Sequence, residues 1–245
     1  MRFYIFTFFM QLFVCEFQIK KNQIILEDSN VLYQLRKVLR SKIGDGFFIQ
    51  KNWYADCRYE IKIHNRDEKG LIWDIVNIIY NQPWSNTYWM IVCMPNKWDK
   101  VEIIVQKLTE IGINHIVFRP SERSIIKESN QSKIERCEKI SKEALEQSWG
   151  RCLPKIEFSN DFKTLLENSR LIVFDKHIDK DWSWLLKDDQ NWSKIYWLVW
   201  PEWWLTDNDY KMFWNNFGIK SLWENILRTE TAAIIGGREI KNLGL

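Results

Sequence analysis

Short segments rich in β-branched and aromatic residues, separated by turn residues, fill most of the first 80 positions of the chain. This pattern predicts β-strands. A stretch at 29–41 carries apolar residues at helical spacing and predicts one helix among them. Many short strands in so few residues indicate a small barrel. The predicted strands are 3–9, 23–26, 47–50, 59–64 and 71–79.

From residue 83 onward, continuous apolar runs alternate with amphipathic stretches. The runs are typical of strands buried on both faces, and the stretches between them of helices. Strands alternating with helices favour a parallel sheet in an α/β domain. We therefore expect two domains, 1–80 and 84–245, with a boundary near 80–86. In the second domain the predicted strands are 88–94, 115–119, 171–175 and 196–199, and the predicted helices are 99–111, 133–149 and 207–216. Gly112 is the predicted C-cap of the first of these helices.

The charge and the cysteine and histidine content exclude few classes of function. The chain has 35 basic and 32 acidic residues and a net charge of +3, so only local clusters can indicate a nucleic-acid partner. Five scattered cysteines without a CxxC pair and three distant histidines argue against a disulfide framework and against a metal site. A cytoplasmic protein fits this pattern.

The apolar N-terminus, MRFYIFTFFMQLFVCEF, is interpreted as a buried first strand rather than a targeting segment. It is short for a membrane span, and no small-residue cleavage site follows it. We therefore expect no membrane association.

One basic segment stands out at 34–42, with the sequence QLRKVLRSK. Its leucines are expected on an apolar side, opposite cations that suit phosphate contacts. A solvated helix face explains the segment equally well when it is viewed alone. The cations are Arg36, Lys37, Arg40 and Lys42.

Three segments of the second domain could carry chemistry. Residues 195–206 form a strand that runs into a loop, where open α/β sheets bind ligands, although a surface turn is the simpler interpretation. In 222–232, Thr229 is a plausible N-cap for a helix whose N-terminus could bind an anionic group, or only a capped helix. In 99–123, Lys107 and Glu110 lie at i, i+3, which also fits a salt-bridged helix followed by a turn.

Taken together and in this order, these segments resemble the RsmE family of 16S ribosomal RNA uridine-N3 methyltransferases, and the resemblance covers nearly the whole chain. The matching blocks are VLYQLRKVLRSKIGDG, KWDKVEIIVQKLTEIGI, RPSERSI, KISKEALEQS, WPEWWLT and LWENILRTETA. The resemblance implies an N-terminal PUA-like β-barrel that helps to bind RNA. It also implies a C-terminal SPOUT-type α/β domain with a trefoil knot, and a homodimer.

The resemblance further implies S-adenosylmethionine as cofactor, the small-subunit ribosomal RNA as partner and substrate, and no metal. Arg228 would stabilise negative charge on the uracil, and Glu230 or Glu202 would accept its proton. RNA would contact Arg36, Lys37, Arg40, Lys42, Lys107 and Arg123. The cofactor would contact Leu198, Val199, Trp200, Pro201, Glu202, Trp203, Trp204, Leu222, Trp223, Ile226, Leu227, Arg228 and Thr229.

Two alternatives stay open. A related knotted methyltransferase could act on another RNA position or on ribose. A non-catalytic RNA-binding protein would also carry a barrel and a basic helix.

Tryptophan stands where the family has glycine at several motif positions. The family's Gly-Pro-Glu-Gly-Gly is Trp200-Pro201-Glu202-Trp203-Trp204 here, and Trp98 and Trp223 also replace family glycines. The chain has 15 tryptophans and 9 glycines in 245 residues, against an average glycine content of about 7%. We hypothesise that many of these codons are UGA, which some bacteria read as glycine. UGG codons at 200, 203, 204 and 223 would contradict the hypothesis.

Overall fold

The computed structural model describes residues 11–51, 56–66, 71–81, 87–166, 169–174, 194–200, 205–211, 217–222 and 224–243. The chain divides into two compact units. The first contains Met1–Pro83 together with Leu145–Leu153, and the second contains Trp84–Ala144 and Pro154–Leu245. The sequence pattern did not indicate that Leu145–Leu153 belongs with the first unit. The predicted strand 3–9 lies outside the described residues.

A six-stranded sheet forms the first unit, in the order β1-β4-β5-β6-β3-β2. Its neighbours pair antiparallel except for β1 and β4, which are parallel. Phe13, Phe47 and Trp73 form the centre of its core, and the rings of Phe47 and Trp73 meet edge to face at 5.8 Å. The strands are β1 (Leu12–Val14), β2 (Phe17–Lys20), β3 (Gln23–Leu26), β4 (Gly46–Gln50), β5 (Cys57–Arg66) and β6 (Leu71–Tyr80).

The predicted helix 29–41 is regular only in its first half. Helix α1 (Ser29–Tyr33) begins after Asp28, whose carboxylate accepts hydrogen bonds from two main-chain N–H groups. The helix continues as a π-helical segment, Gln34–Val38. The helical conformation ends before Arg40, which has φ +50°. The Ser41 N–H closes this end by donating to the Leu35 carbonyl at 2.9 Å, as in other left-handed helix ends. The predicted helix is therefore present over 29–38, its second half is π-helical, and it ends three residues before the predicted end.

The second unit is built on a six-stranded sheet in which every pairing is parallel. The strand order is β12-β10-β11-β7-β8-β9. This confirms the predicted α/β class with a parallel sheet, and it places all carboxyl ends of these strands at one edge. The strands are β7 (Trp89–Cys93), β8 (His115–Arg119), β9 (Lys155–Phe158), β10 (Ser169–Phe174), β11 (Lys194–Val199) and β12 (Phe217–Lys220).

The central strands are buried on both faces. On β7, Met90 and Val92 enter one apolar cluster, and Ile91 and Cys93 enter the other, as the alternation of side chains along a strand requires. The helices that accompany the sheet are α2 (Trp98–Ile111), α3 (Gln131–Ser148), α4 (Phe162–Leu166), α5 (Asp207–Lys211) and α6 (Thr229–Leu243).

Two helix ends match the sequence expectation to different degrees. Helix α2 ends at Gly112, which has φ +87° and donates its N–H to the Leu108 carbonyl, so the predicted C-cap is confirmed. The predicted helix 207–216 is present over Asp207–Lys211, and 212–216 lie outside the described residues.

The last turn of α3 and the residues after it complete the first unit. Glu146 accepts a hydrogen bond from the Val14 N–H at 2.9 Å. Arg58 donates to the carbonyl oxygen of Gly150 at 2.7 Å. One continuous helix therefore contributes residues to both units. Among the described residues, no helix combines the length and the apolar character that crossing a membrane requires.

Candidate active site

The end of β11 lies at the centre of the carboxyl edge, between β10 and β7. Leu198 and Val199 are both fully buried, so neither side chain is exposed at this edge. Trp200 is half-buried against the apolar cluster that contains Ile91. The other predicted cofactor contacts of this loop, Pro201, Glu202, Trp203 and Trp204, lie outside the described residues.

The second predicted cofactor segment leads into α6, which packs against β11 and β7. Leu222 is half-buried against the main core, Leu227 is half-buried, and Ile226 is 66% exposed. Arg228 is exposed. Trp223 lies outside the described residues.

Helix α6 begins one residue earlier than expected. The Ala232 N–H donates to the Arg228 carbonyl at 2.8 Å, so Arg228 takes the N-cap position and Thr229 is the first helical residue. The prediction that Thr229 is the N-cap was therefore wrong. Thr229 is only 3% exposed, and its hydroxyl has no hydrogen-bond partner in the part of the chain that the structure describes.

Glu230, the predicted proton acceptor on α6, faces a cation. The Nζ atom of Lys100 on α2 lies 3.5 Å from a carboxylate oxygen of Glu230. Both side chains are mostly buried, at 20% and 17% exposure. The pair therefore connects the first turn of α6 to the first turn of α2.

The loop after β8 carries the RPSERSI block and is held by its own serines. The Ser121 N–H donates to Ser124 Oγ at 2.8 Å, and Ser124 Oγ lies 3.4 Å from the Met94 carbonyl at the end of β7. Both serines are buried, whereas Arg123 is exposed. The serines therefore shape the loop, and the predicted RNA contact, Arg123, is on its surface.

Asp209 is the polar residue of this edge that sequence reasoning missed. Its carboxylate is fully buried and accepts from the Glu122 N–H at 3.1 Å and from the Thr206 N–H at 3.0 Å. The Asp209 N–H donates to Thr206 Oγ1 at 3.2 Å, which makes a reciprocal cap at the start of α5. The chain after β11 is thus bound to the loop after β8. The signal that could have found it is the spacing Thr-x-x-Asp, which is typical of such caps.

The other predicted RNA contacts are on the surface. In the first unit, the side chains of four predicted contacts are exposed: Arg36, Lys37, Arg40 and Lys42. In the second unit, Lys107 donates to both carboxylate oxygens of Glu110, at 2.8 and 3.0 Å, which confirms the predicted i, i+3 pair.

Within the described residues, no group of histidine, cysteine, aspartate and glutamate side chains is arranged to hold a metal ion. No disulfide joins any of the five cysteines, all of which lie in the described part of the chain.

Comparison with known proteins supports the motif-based interpretation. Ribosomal RNA small subunit methyltransferase E 2 of Borreliella burgdorferi is 30% identical over 145 residues, which are 58% of this chain and 58% of that relative's length. Ribosomal RNA small subunit methyltransferase E of Rickettsia conorii is 25% identical over 230 residues, 92% of either chain.

The fold of this chain is similar to that of a solved methyltransferase structure. A ribosomal RNA small subunit methyltransferase E from Neisseria gonorrhoeae, bound to S-adenosyl methionine, superimposes with a TM-score of 0.78 at 19% identity, over 96% of this chain and 98% of that one. The sequence model of one family, described as RNA methyltransferase domain, matches residues 84–236. Because that match spans more than half of the chain, the protein belongs to the RNA methyltransferase domain family.

Proposed function

We propose that this protein transfers the methyl group of S-adenosylmethionine to N3 of a uridine in 16S ribosomal RNA. The observation that carries the proposal is the junction at which α6 packs against β11, in a unit that belongs to an RNA methyltransferase family. The names of the two relatives, both small-subunit RNA methyltransferases, support this choice of substrate.

The residues at this junction fit the cofactor. A helix N-terminus offers main-chain N–H groups to a carboxylate, which the methionine part of the cofactor carries. The buried, unpartnered Thr229 hydroxyl adds a polar atom at the same place. Main-chain groups of Leu198, Val199 and Trp200, together with 222–229, would hold the cofactor, and the predicted contacts Pro201, Glu202, Trp203, Trp204 and Trp223 would complete the site.

The bound cofactor supplies an electrophilic methyl group, and the chain supplies alignment and charge. N3 of uridine must lose its proton before it attacks, so the negative charge that develops on the uracil needs a stabilising cation. Arg228, exposed at the start of α6, takes this role. Glu230 or Glu202 accepts the proton, and Lys100 orients Glu230.

The remaining parts of the proposal concern architecture and setting. The first unit acts as a PUA-like RNA-binding barrel, and Arg36, Lys37, Arg40 and Lys42 contact phosphates. The C-terminal chain forms a SPOUT-type trefoil knot in a cytoplasmic homodimer. Lys107 and Arg123 contribute further RNA contacts.

The test is methylation of small-subunit RNA by the full chain, with the modified nucleotide mapped by mass spectrometry. We expect methylation of one uridine at N3. Arg228→Ala should abolish transfer while cofactor binding, measured by calorimetry, is retained. Arg238→Ala removes an exposed arginine further along α6 and serves as the matched control. Full activity of Arg228→Ala would contradict the assigned role, and methylation at another nucleotide or on ribose would favour a related methyltransferase.

The loop tryptophans favour one specific alternative. Glycine lets a main chain approach a ligand closely, whereas indole rings at 200, 203 and 204 would fill the space that the cofactor needs. If these tryptophans are present in the cell, the protein is a non-catalytic RNA-binding protein. Calorimetric titration with S-adenosylmethionine distinguishes the two, because micromolar binding by the literal sequence contradicts this alternative.

A further inference from the structure

An open cleft of about 670 Å³ lies in the second unit, where β8 and β9 end. Its lining combines a buried arginine, two amides and exposed lysines, among them Arg119, Asn160, Asn208 and Lys211. A smaller cavity of about 280 Å³ adjoins it and shares Asn160. The lining of that cavity is mixed: polar and charged residues accompany Phe118 and Phe158, whose rings stack at 5.2 Å.

Both walls of the cleft are held in place by internal hydrogen bonds. On one side Lys127 donates its Nζ protons to the carbonyl oxygens of Ser121 and Glu122, at 2.6 and 2.7 Å. The other side begins at α5, which Asp209 ties to the same loop through the Glu122 N–H. A concave site whose walls are preformed is typical of a ligand pocket, and such pockets occupy roughly 300–1,000 Å³.

The strand order places this cleft beside the proposed cofactor edge. Strand β8 is separated from β11 by one strand, β7. Neighbouring strands lie about 4.8 Å apart, so the ends of β8 and β11 are roughly 10 Å from each other. That distance is smaller than a nucleotide with its phosphate. In addition, the chain that leaves β11 supplies Asn208 and Lys211 to the cleft wall.

The side chains of the cleft suit a nucleotide better than an apolar ligand. Amides such as Asn160 and Asn208 donate and accept, so they can read the edge of a base. Lysine and arginine neutralise phosphate. Two of the three acidic side chains in the lining bind other groups of the protein. Asp209 binds main-chain N–H groups, and Glu122 accepts from the Asn208 amide at 3.3 Å, whereas Glu128 is exposed.

We propose that this cleft receives the acceptor uridine, turned out of the RNA, with Asn160 and Asn208 facing the base and Lys211 facing a phosphate. N3 lies on the Watson–Crick edge, which is accessible only when the base is unpaired. The proposal rests on the proposed function for the identity of the base. It adds a substrate pocket formed by residues that are separate from the cofactor segments.

Crosslinking tests the cleft independently of catalysis. The full chain is irradiated with small-subunit RNA that carries 4-thiouridine, and crosslinked peptides are identified by mass spectrometry. We expect crosslinks within 119–128, 155–160 or 205–211. Crosslinks confined to other peptides would overturn the proposal, whether or not the protein methylates RNA.

Kinetics then test the assigned side chains. Asn160→Leu and Lys211→Met should each slow methyl transfer or raise the RNA KM by about tenfold or more, with an unchanged Kd for S-adenosylmethionine, which also reports a folded protein. Lys139→Met, an exposed lysine on α3, is the matched control. If the parent methylates RNA and both cleft variants do so equally well, the cleft assignment is wrong. If the parent crosslinks through the cleft but transfers no methyl group, the proposed function fails and the nucleotide pocket stands.

Discussion

The guanidinium of Arg58 lies 5.8 Å from the centre of the Trp149 ring and also donates to the Trp149 carbonyl oxygen. Trp149 follows the last residue of α3 and has φ +55°, in the left-handed region. Helices commonly end on glycine in this conformation, because a Cβ atom there crowds the main chain. The tryptophan therefore occupies a position that its backbone geometry assigns to glycine.

Trp149→Gly should leave stability nearly unchanged, whereas Trp149→Ala should lower it. Both variants lose the edge-to-face contact with Phe48 at 5.0 Å, a kind of contact that contributes about 0.5–1.5 kcal/mol. Only glycine also removes the left-handed strain, which is roughly 1–2 kcal/mol for other residues. Urea unfolding should therefore rank glycine above alanine by about 1 kcal/mol. Equal stability of the two variants would contradict the strain argument, and mass spectrometry of the protein from its own cells would show whether residue 149 is glycine.

Asp209→Asn should destabilise the second unit by about 2–3 kcal/mol, because a buried carboxylate that accepts from main-chain N–H groups is replaced by an amide that can accept with only one oxygen. Asp207→Asn removes the same charge from an exposed site in the same helix and should change the unfolding free energy by less than about 0.5 kcal/mol. The measurement is urea unfolding of both variants. An equal effect at the two positions would mean that net charge, and not the hydrogen bonds of Asp209, is responsible.

The stability of the second unit should fall as the pH decreases below about 6.5, in part through His115. Burial lowers the pKa of His115, and the Glu157 carboxylate, 2.9 Å from Nε2, offsets this only in part. Its Nδ1 atom is buried without a hydrogen-bond partner among the described residues, so a proton there would have no acceptor. Because the unfolded chain binds this proton at higher pH than the native state, stability is fully present above about pH 6.5 and decreases as pH falls towards the native pKa.

His115→Gln keeps a donor for Glu157 and should remove this component of the pH dependence. His64→Gln, at a side chain 62% exposed, is the control and should retain it. Urea unfolding between about pH 5 and pH 7.5 measures both. An unchanged slope in His115→Gln would show that other groups cause the acid sensitivity.

Reversal of three charges in the basic segment should weaken RNA binding and its salt dependence. Each phosphate contact contributes about 0.7–0.9 to the slope of log K against log salt, so changing Arg36, Lys37 and Arg40 to glutamate should reduce that slope by about 2–3. Glutamate at Lys20, Lys21 and Lys62 changes the net charge equally at other exposed positions of the same unit. Filter binding at several salt concentrations gives the slopes. Identical slopes for the two triple variants would exclude the basic segment as a specific contact surface.

The spacing of apolar residues predicted the elements that are well buried, because burial produces the apolar pattern in the sequence. Strand β8 was predicted with its observed bounds because all five of its residues are buried. The π-helical segment Gln34–Val38 was not predicted, because its apolar positions continue the ordinary helical spacing and only one hydrogen-bond register distinguishes the two forms.

Contacts between residues that are distant in sequence could not be predicted from the local sequence pattern. The hydrogen bond from the Val14 N–H to Glu146 joins residues 132 positions apart, and no sequence feature near either residue predicts it. The cleft at β8 is lined from three separate stretches of chain, so its residues form no motif. The predicted cofactor segments, in contrast, are continuous in sequence, so a motif can indicate them.

The first part of helix α3 belongs to the second unit, and its last turn belongs to the first unit. The first unit is therefore not encoded by one continuous gene segment. A gene segment ending near residue 83 would encode the first sheet without the residues that pair with Val14 and Arg58. Exchange of this unit between proteins therefore requires two recombination junctions, one of them within a helix. The two units are expected to have diverged as a pair, with neither acquired as a separable module.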